Sequence, residues 1–207
     1  VQDVTLFAKY TLRADEMFLN RMIGGTFEGS NDPDFREKEV LYLINEKPKR
    51  LQTVVQSYSS KSYRYVRYIG PKDSHCNIAE AAFYTPNDTA SLKGKVIGTP
   101  GCFQKDGSHE YTNVFDGDVT TSFDYIEPSG GWSGLDLGTP KQIGRIVYTP
   151  RSYDNYIRSG DDYELFYCAR RNNWKSLGDQ RSKADSLIYI KIPVNALLLL
   201  CNNTRGI

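Results

Sequence analysis

The chain has 207 residues, with 26 Lys and Arg against 25 Asp and Glu, for a net charge of +1. That balance gives no electrostatic footprint for nucleic acid or for an acidic membrane surface. The only long apolar run, Ile192 to Cys201, is interrupted by Pro193 and Asn195 and is too short to span a bilayer, so no membrane insertion is expected and a buried strand is.

Strand signals follow one another along the chain. Val40–Ile44 comes first, then Tyr63–Ile69, which alternates aromatic or β-branched residues with basic ones, the period-two pattern of a half-buried strand. Ala79–Tyr84, Lys95–Gly98, Gln142–Tyr148, Tyr163–Tyr167 and Leu187–Ile190 continue the series. Gly, Pro, Asn and Asp punctuate them, at Asn31-Asp32-Pro33, Gly70-Pro71, Pro86-Asn87-Asp88, Gly98–Gly101, Pro128–Gly131 and Gly138-Thr139-Pro140. No window carries a helical stripe longer than a turn or two. Many short strands between turns predict an all-β antiparallel sandwich or jelly roll.

Val1 opens no basic-then-apolar leader and the chain lacks an initiator Met, as expected of a mature form or an excised fragment. The four cysteines, Cys76, Cys102, Cys168 and Cys201, form no Cys-x-x-Cys, which argues against zinc and against a thioredoxin-like centre. Buried free thiols are the preferred state, with one or two disulfides left open.

The polar segment 85–94 reads as a linker between an apparent terminal strand, Ala79–Tyr84, and a fresh start at Lys95. An imperfect repeat supports that division. Lys9–Arg13 followed by Arg21–Glu28 echoes Val147–Arg151 followed by Arg158–Glu164. The expectation is two β domains in tandem: 1–84, with its N-terminal part missing, and 95–207, with its last strand missing.

The richest segment for chemistry is Asn113–Phe123. It packs two carboxylates, a turn glycine and Thr121 into a few residues, an oxygen-rich set suited to a hard cation. A plain solvated turn is the bland reading of Asp116-Gly117-Asp118.

Together with Gly131–Gly138 (Gly-Trp-Ser-Gly-Leu-Asp-Leu-Gly) and Ile143–Arg151, this segment resembles the discoidin-like family, also called factor V/VIII type C domains. Residues 1–84 are similar to the later part of such modules, found in tandem on secreted bacterial glycan-degrading proteins. The resemblance implies a galactose-binding-like jelly roll, a structural calcium and a ligand site on loops at one end of the sandwich. It also implies an extracellular, cell-surface or periplasmic location.

Carried over by position, Asp116 gives calcium a side-chain oxygen, Asn113 and Asp118 give carbonyls, and Thr121 gives its carbonyl and hydroxyl. The family's last ligand is a Glu preceded by Ala, matched by Ala79-Glu80 in the first copy and falling beyond Ile207 in the second. For the glycan, the resemblance implies Arg151 and Asn155, beside Tyr153, Asp154 and Tyr156, with His109 and Tyr125 near the same rim. Trp132 and Trp174 are expected in the core, and Arg13 matches Arg151 with Leu12 in place of the Pro.

Catalysis has little basis. His75 and His109 lie in unrelated turns with no Gly-x-Ser-x-Gly nearby, and neither a Walker loop nor a Gly-x-Gly-x-x-Gly is present. The expected role is a non-catalytic accessory region that binds glycan and holds a neighbouring catalytic domain near its substrate. The alternative is a structural module packed against that domain.

Overall fold

The computed structural model describes residues 1–9, 13–170 and 173–206, with 13–16 and 170 described by their backbone alone. In chain order the elements are β1 (Gln2–Leu6), α1 (Arg13–Asn20), β2 (Thr26–Ser30), β3 (Lys38–Leu43), β4 (Thr53–Gln56), β5 (Ser62–Ile69), β6 (Glu80–Tyr84), β7 (Lys95–Gly98), a 3-10 turn (Tyr111–Phe115), β8 (Trp132–Gln142), β9 (Arg145–Thr149), β10 (Asp162–Arg170), β11 (Asn173–Arg181), β12 (Leu187–Ile192) and β13 (Leu198–Asn202). The protein is almost entirely β, with antiparallel sheets throughout.

The chain divides into two compact units. Unit 1 comprises Val1–Leu12, Lys49–Leu51 and Asp154–Ile207; unit 2 comprises Arg13–Pro48 and Gln52–Tyr153. This differs from the expected division at 85–94. β5 pairs with β8 and β6 pairs with β9, so strands on either side of that segment are hydrogen-bonded partners within unit 2. The polar composition of 85–94 marks a surface connection inside one body rather than a linker between two. Of the expected repeat, Tyr10, Thr11 and Leu12 lie outside the described residues, as do Arg171 and Asn172 before Trp174.

Unit 2 is a β-sandwich. One sheet has the order β3-β2-β5-β8-β7 and the other the order β4-β9-β6. Phe27, Leu41, Val66, Tyr68 and Leu135 from the first sheet and Ala81, Phe83, Ile146 and Tyr148 from the second form one buried cluster. Phe27 is its keystone. Its ring lies 5.1 Å from that of Tyr68 within its own sheet, and 6.0 Å from Phe83 and 5.4 Å from Tyr148 across the interface.

β5 is buried on both faces, whereas its alternation predicted one wet face. Tyr63, Val66 and Tyr68 point into the core. On the opposite face Arg67 is covered by Phe35, which lies in the loop between β2 and β3. The guanidinium sits 4.0 Å from the Phe35 ring centre and 5.2 Å from that of Trp132. Its Nε and Nη2 donate to Glu28 Oε2 at 2.8 and 2.7 Å, and Lys38 adds a third cationic contact at 2.9 Å. A buried arginine is tolerated here because its charge is paired and two aromatic rings, Phe35 and Trp132, pack against its guanidinium. Trp132 is therefore part of this covered outer face and not of the inter-sheet core.

Unit 1 contains the sheet β11-β10-β13 and the pair β1-β12. Ile157, Tyr163, Leu165, Leu187, Tyr189 and Ile192 are its buried apolar residues, with Val4 and Leu6 packed against them. Two expectations change here. Trp174 is exposed on the edge strand β11, and Ile192–Cys201 is not one buried strand: β12 ends at Ile192, β13 starts at Leu198, and Val194, Leu197 and Leu199 are exposed. The Pro and Asn that interrupt the run break the strand. All four cysteines are free thiols.

Truncating Phe27 to Ala removes the ring that joins the two sheets and leaves a cavity, at a cost of about 3–5 kcal/mol. Urea denaturation of Phe27→Ala checks this; a loss below about 1 kcal/mol contradicts the keystone role.

Candidate functional site

Between β5 and β6 the chain runs through Gly70–Ala79 at one end of the sandwich. Asp73, His75 and Cys76 all adopt positive φ, at 59°, 53° and 52°. Each such non-glycine residue costs about 1–3 kcal/mol and persists only where its surroundings fix it. Here they do. Ser74 Oγ donates to the Pro71 carbonyl at 2.6 Å and accepts the Cys76 N–H at 3.1 Å. The His75 N–H donates to Pro128 O at 3.0 Å, and the Asp73 N–H to Ser129 Oγ at 3.0 Å. Gly70 and Gly131 permit the close approach: a Cβ at Gly70 would lie 2.6 Å from Cys76 Cα, and one at Gly131 would lie 2.7 Å from Tyr125 Cβ.

This scaffold presents an aromatic edge. His75 Nδ1 is 2.9 Å from the Tyr125 carbonyl, and the His75 ring stands edge-on to Phe103 at 5.5 Å. Phe103 is 57% exposed in a polar loop, so its apolar face is available to a ligand. Burial pushes the Cys76 thiol up to about 12, which leaves it protonated and unreactive.

Asp124 ties the edge to the sandwich. Its N–H donates to His109 O at 3.1 Å and its carbonyl accepts the Phe103 N–H at 2.8 Å. Its carboxylate is buried and fully engaged: Oδ2 takes Arg151 Nη1 at 2.5 Å and Oδ1 takes Asn77 Nδ2 at 2.6 Å. Asn77 Oδ1 in turn accepts Arg21 Nη1 at 2.8 Å. The Arg151 guanidinium lies 4.5 Å from the Phe18 ring centre, and Phe18 contacts Tyr153 at 5.3 Å. Tyr153 is 54% exposed.

A second cluster lies at the 3-10 turn. Thr121 Oγ lies 2.8 Å from Asp116 Oδ2 and 2.9 Å from the Asp118 carbonyl, two acceptors for its single O–H, and the Asp116 N–H points to the Asn113 carbonyl at 3.4 Å. Glu80, the first residue of β6, joins them by accepting the Gly117 N–H on Oε1 at 2.9 Å. Burial, and next the hydrogen bond to the Asp116 carboxylate, push Glu80 up to about 8. Among the described residues no group of three or more His, Cys, Asp or Glu side chains is arranged around a metal position. A cation here would need the carbonyls and the Thr121 hydroxyl as well as the two carboxylates.

The expected metal ligands Asn113, Asp116, Asp118 and Thr121 are thus together. The expected glycan residues are divided. Arg151, His109 and Tyr125 belong to unit 2, and Asp154, Asn155 and Tyr156 to unit 1. Arg151 is held by Asp124. His109 Nδ1 is 3.3 Å from the Ser122 carbonyl, and Tyr125 packs on Phe123. In unit 1, Asp154 pairs with Arg158, at 2.7 Å from Nε, and with Lys9 at 3.8 Å. Asn155 is buried and its carbonyl accepts the Lys9 N–H, and Tyr156 is buried beside Ala8.

Sequence reasoning missed Asp124, Asn77, Arg21 and Phe103, and assigned Glu80 to another copy. Phe103 had a signal, as a lone aromatic in a polar loop. Asp124 had one too, as a carboxylate between Phe123 and Tyr125. Compared with known proteins, the chain matches no family model, no curated protein and no solved structure.

Glu80 makes stability pH-dependent. Its folded value of about 8 lies above the ordinary 4.5, so the stabilisation from its protonated form is complete below about 4.5 and is lost as pH rises through about 8. In chelator, Glu80→Gln should therefore gain in Tm over the native protein as pH goes from 5 to 8. An equal difference at both pH values contradicts the raised carboxyl.

Proposed function

We propose that this chain is a non-catalytic carbohydrate-binding region, with unit 2 a jelly roll of the galactose-binding-like kind and a glycan site at its strained-loop end. One observation carries the reading. Exposed aromatic rings, Phe103 and Tyr153, flank the guanidiniums of Arg151 and Arg21, which the buried Asp124 and Asn77 hold in place. Sugar sites need both parts: an aromatic face for the apolar side of the ring and planar groups for its hydroxyls. The assignment shifts from the expected rim. Arg151 and Tyr153 remain, while Phe103 and Arg21 replace Asp154, Asn155 and Tyr156 as the neighbours of interest. Both imidazoles are close to backbone carbonyls through Nδ1, which gives no support to a His-based nucleophile.

Within the same proposal, calcium would be held by the Asp116 and Glu80 carboxylates, the Thr121 hydroxyl and the carbonyls of Asn113 and Asp118. All of these are hard oxygen donors, and a cation would offset the burial that raises Glu80. The ion would supply loop bracing and no chemistry. Modest affinity at one site becomes useful when a neighbouring catalytic domain is tethered to it, in an extracellular, cell-surface or periplasmic setting.

Calcium at about 100 times its Kd stabilises by about 2.7 kcal/mol. Thermal denaturation should show a rise of several degrees that Asp116→Asn abolishes; no calcium response removes the metal from the account. For the sugar site, a glycan array followed by calorimetry should find a ligand whose affinity falls about three- to ten-fold in Phe103→Ala or Tyr153→Ala. No binding to any glycan with calcium present defeats the reading.

The second reading, a module docked on a neighbouring domain, draws on unit 1, where Ile188, Ile190, Val194, Leu197 and Leu199 are exposed. Charged substitutions at Ile188 and Ile190 that weaken capture of the neighbouring domain, with glycan binding intact, favour it.

A further inference from the structure

The polar row at the strained-loop end carries two guanidiniums and one carboxylate. Both oxygens of Asp124 are taken, one by Arg151 and one by Asn77. Asn77 is neutral and works as a relay: its amide nitrogen donates to Asp124 and its amide oxygen accepts from Arg21. Arg21 is therefore oriented by the row without being neutralised by it. Among the described residues it makes no ion pair, and Asn77 occupies one of its five N–H donors.

An ordinary surface arginine is mobile and fully hydrated, and its lack of a partner has no meaning. Arg21 differs in three respects. It is half-buried. Its backbone is pinned where the chain leaves α1, the Arg21 N–H donating to Met17 O at 3.0 Å. Its guanidinium is fixed by the same Asn77 that is locked to the buried Asp124. The planar fork is thus held in place before any ligand arrives, which is the condition under which Arg binds a carboxylate with little further ordering. At the other end of the row, Tyr153 offers an exposed ring continuous with Phe18 and Arg151.

We propose that the sugar taken at this site is acidic: a uronic acid or another carboxylate-bearing glycan residue, its carboxylate received by Arg21. This rests on the carbohydrate-binding reading and adds to it the charge of the ligand. Asp124 sets the specificity indirectly. By consuming Arg151's charge it leaves Arg21 as the cation that distinguishes a carboxylate from the hydroxymethyl group of a neutral sugar.

The test is calorimetry of the whole chain against galacturonate and galactose oligosaccharides of equal length, and against the glucuronate and glucose pair. The acidic member of at least one pair should bind about tenfold tighter or more, the scale of one charge-assisted hydrogen bond. The preference should shrink with added salt. In Arg21→Gln the ratio of acidic to neutral affinity should fall to about one; in Arg21→Lys part of the preference should survive. A cooperative thermal transition close to that of the native chain reports that each variant is folded. Equal affinity within both pairs, or a preference that survives Arg21→Gln, overturns the inference while leaving glycan binding intact. Absence of binding to these and to every arrayed glycan overturns the carbohydrate reading itself.

Discussion

The buried carboxylate of Asp124 is the interaction on which the functional end of unit 2 depends. It reaches Arg151 just beyond β9, Asn77 just before β6 and, through Asn77, Arg21 beyond α1. Its backbone holds the Phe103 and His109 loops. Four stretches far apart in sequence therefore share one anionic centre. Removing one partner of such a group leaves an uncompensated buried charge, at a cost of about 3–5 kcal/mol. That penalty adds to the apolar contacts the loops make through Cys76, Ile78, Phe123 and Tyr125.

The strain around Cys76 follows from the same arrangement. The 70–77 segment must bring Asn77 to Asp124 and Glu80 to the Asp116 turn within a few residues of leaving β5. Positive φ at Asp73, His75 and Cys76 accomplishes the turn, and the hydrogen bonds to Pro128 and Ser129 hold it. The result is a row of rings and planar polar groups set before a ligand arrives. Recognition then loses little to ordering. The two carboxylates at Glu80 and Asp116 are the complementary case, a partly buried, hydrogen-bonded pair that an oxygen-seeking cation would convert into bracing.

Local features were legible in the sequence, and the pairing of distant ones was not. β3, β5, β6, β7, β10 and β12 announced themselves through β-branched and aromatic composition, and Asp116-Gly117-Asp118 through its turn chemistry. The second buried face of β5 was hidden, because the cover comes from Phe35 in a loop with no periodicity of its own. Glu80 was recognised as the right residue type after an Ala, yet its contact with the Gly117 N–H, 37 positions away, depends on β6 pairing with β9. Arg151 was legible as the end of a Pro-Arg strand. Its partner was not, since a lone Asp between aromatics looks the same whether it faces solvent or a guanidinium. The division of the chain failed for the same reason: polar composition at 85–94 reports exposure, not the end of a cooperative body.

The most direct test of the account is an amide NMR titration of the intact chain with galacturonate and galactose oligosaccharides. The account predicts that the resonances which shift belong to residues 73–76, 102–104, 124–126 and 151–153 and to Arg21. Shifts confined to other parts of the chain, with these residues unmoved, would contradict a glycan site organised by Asp124.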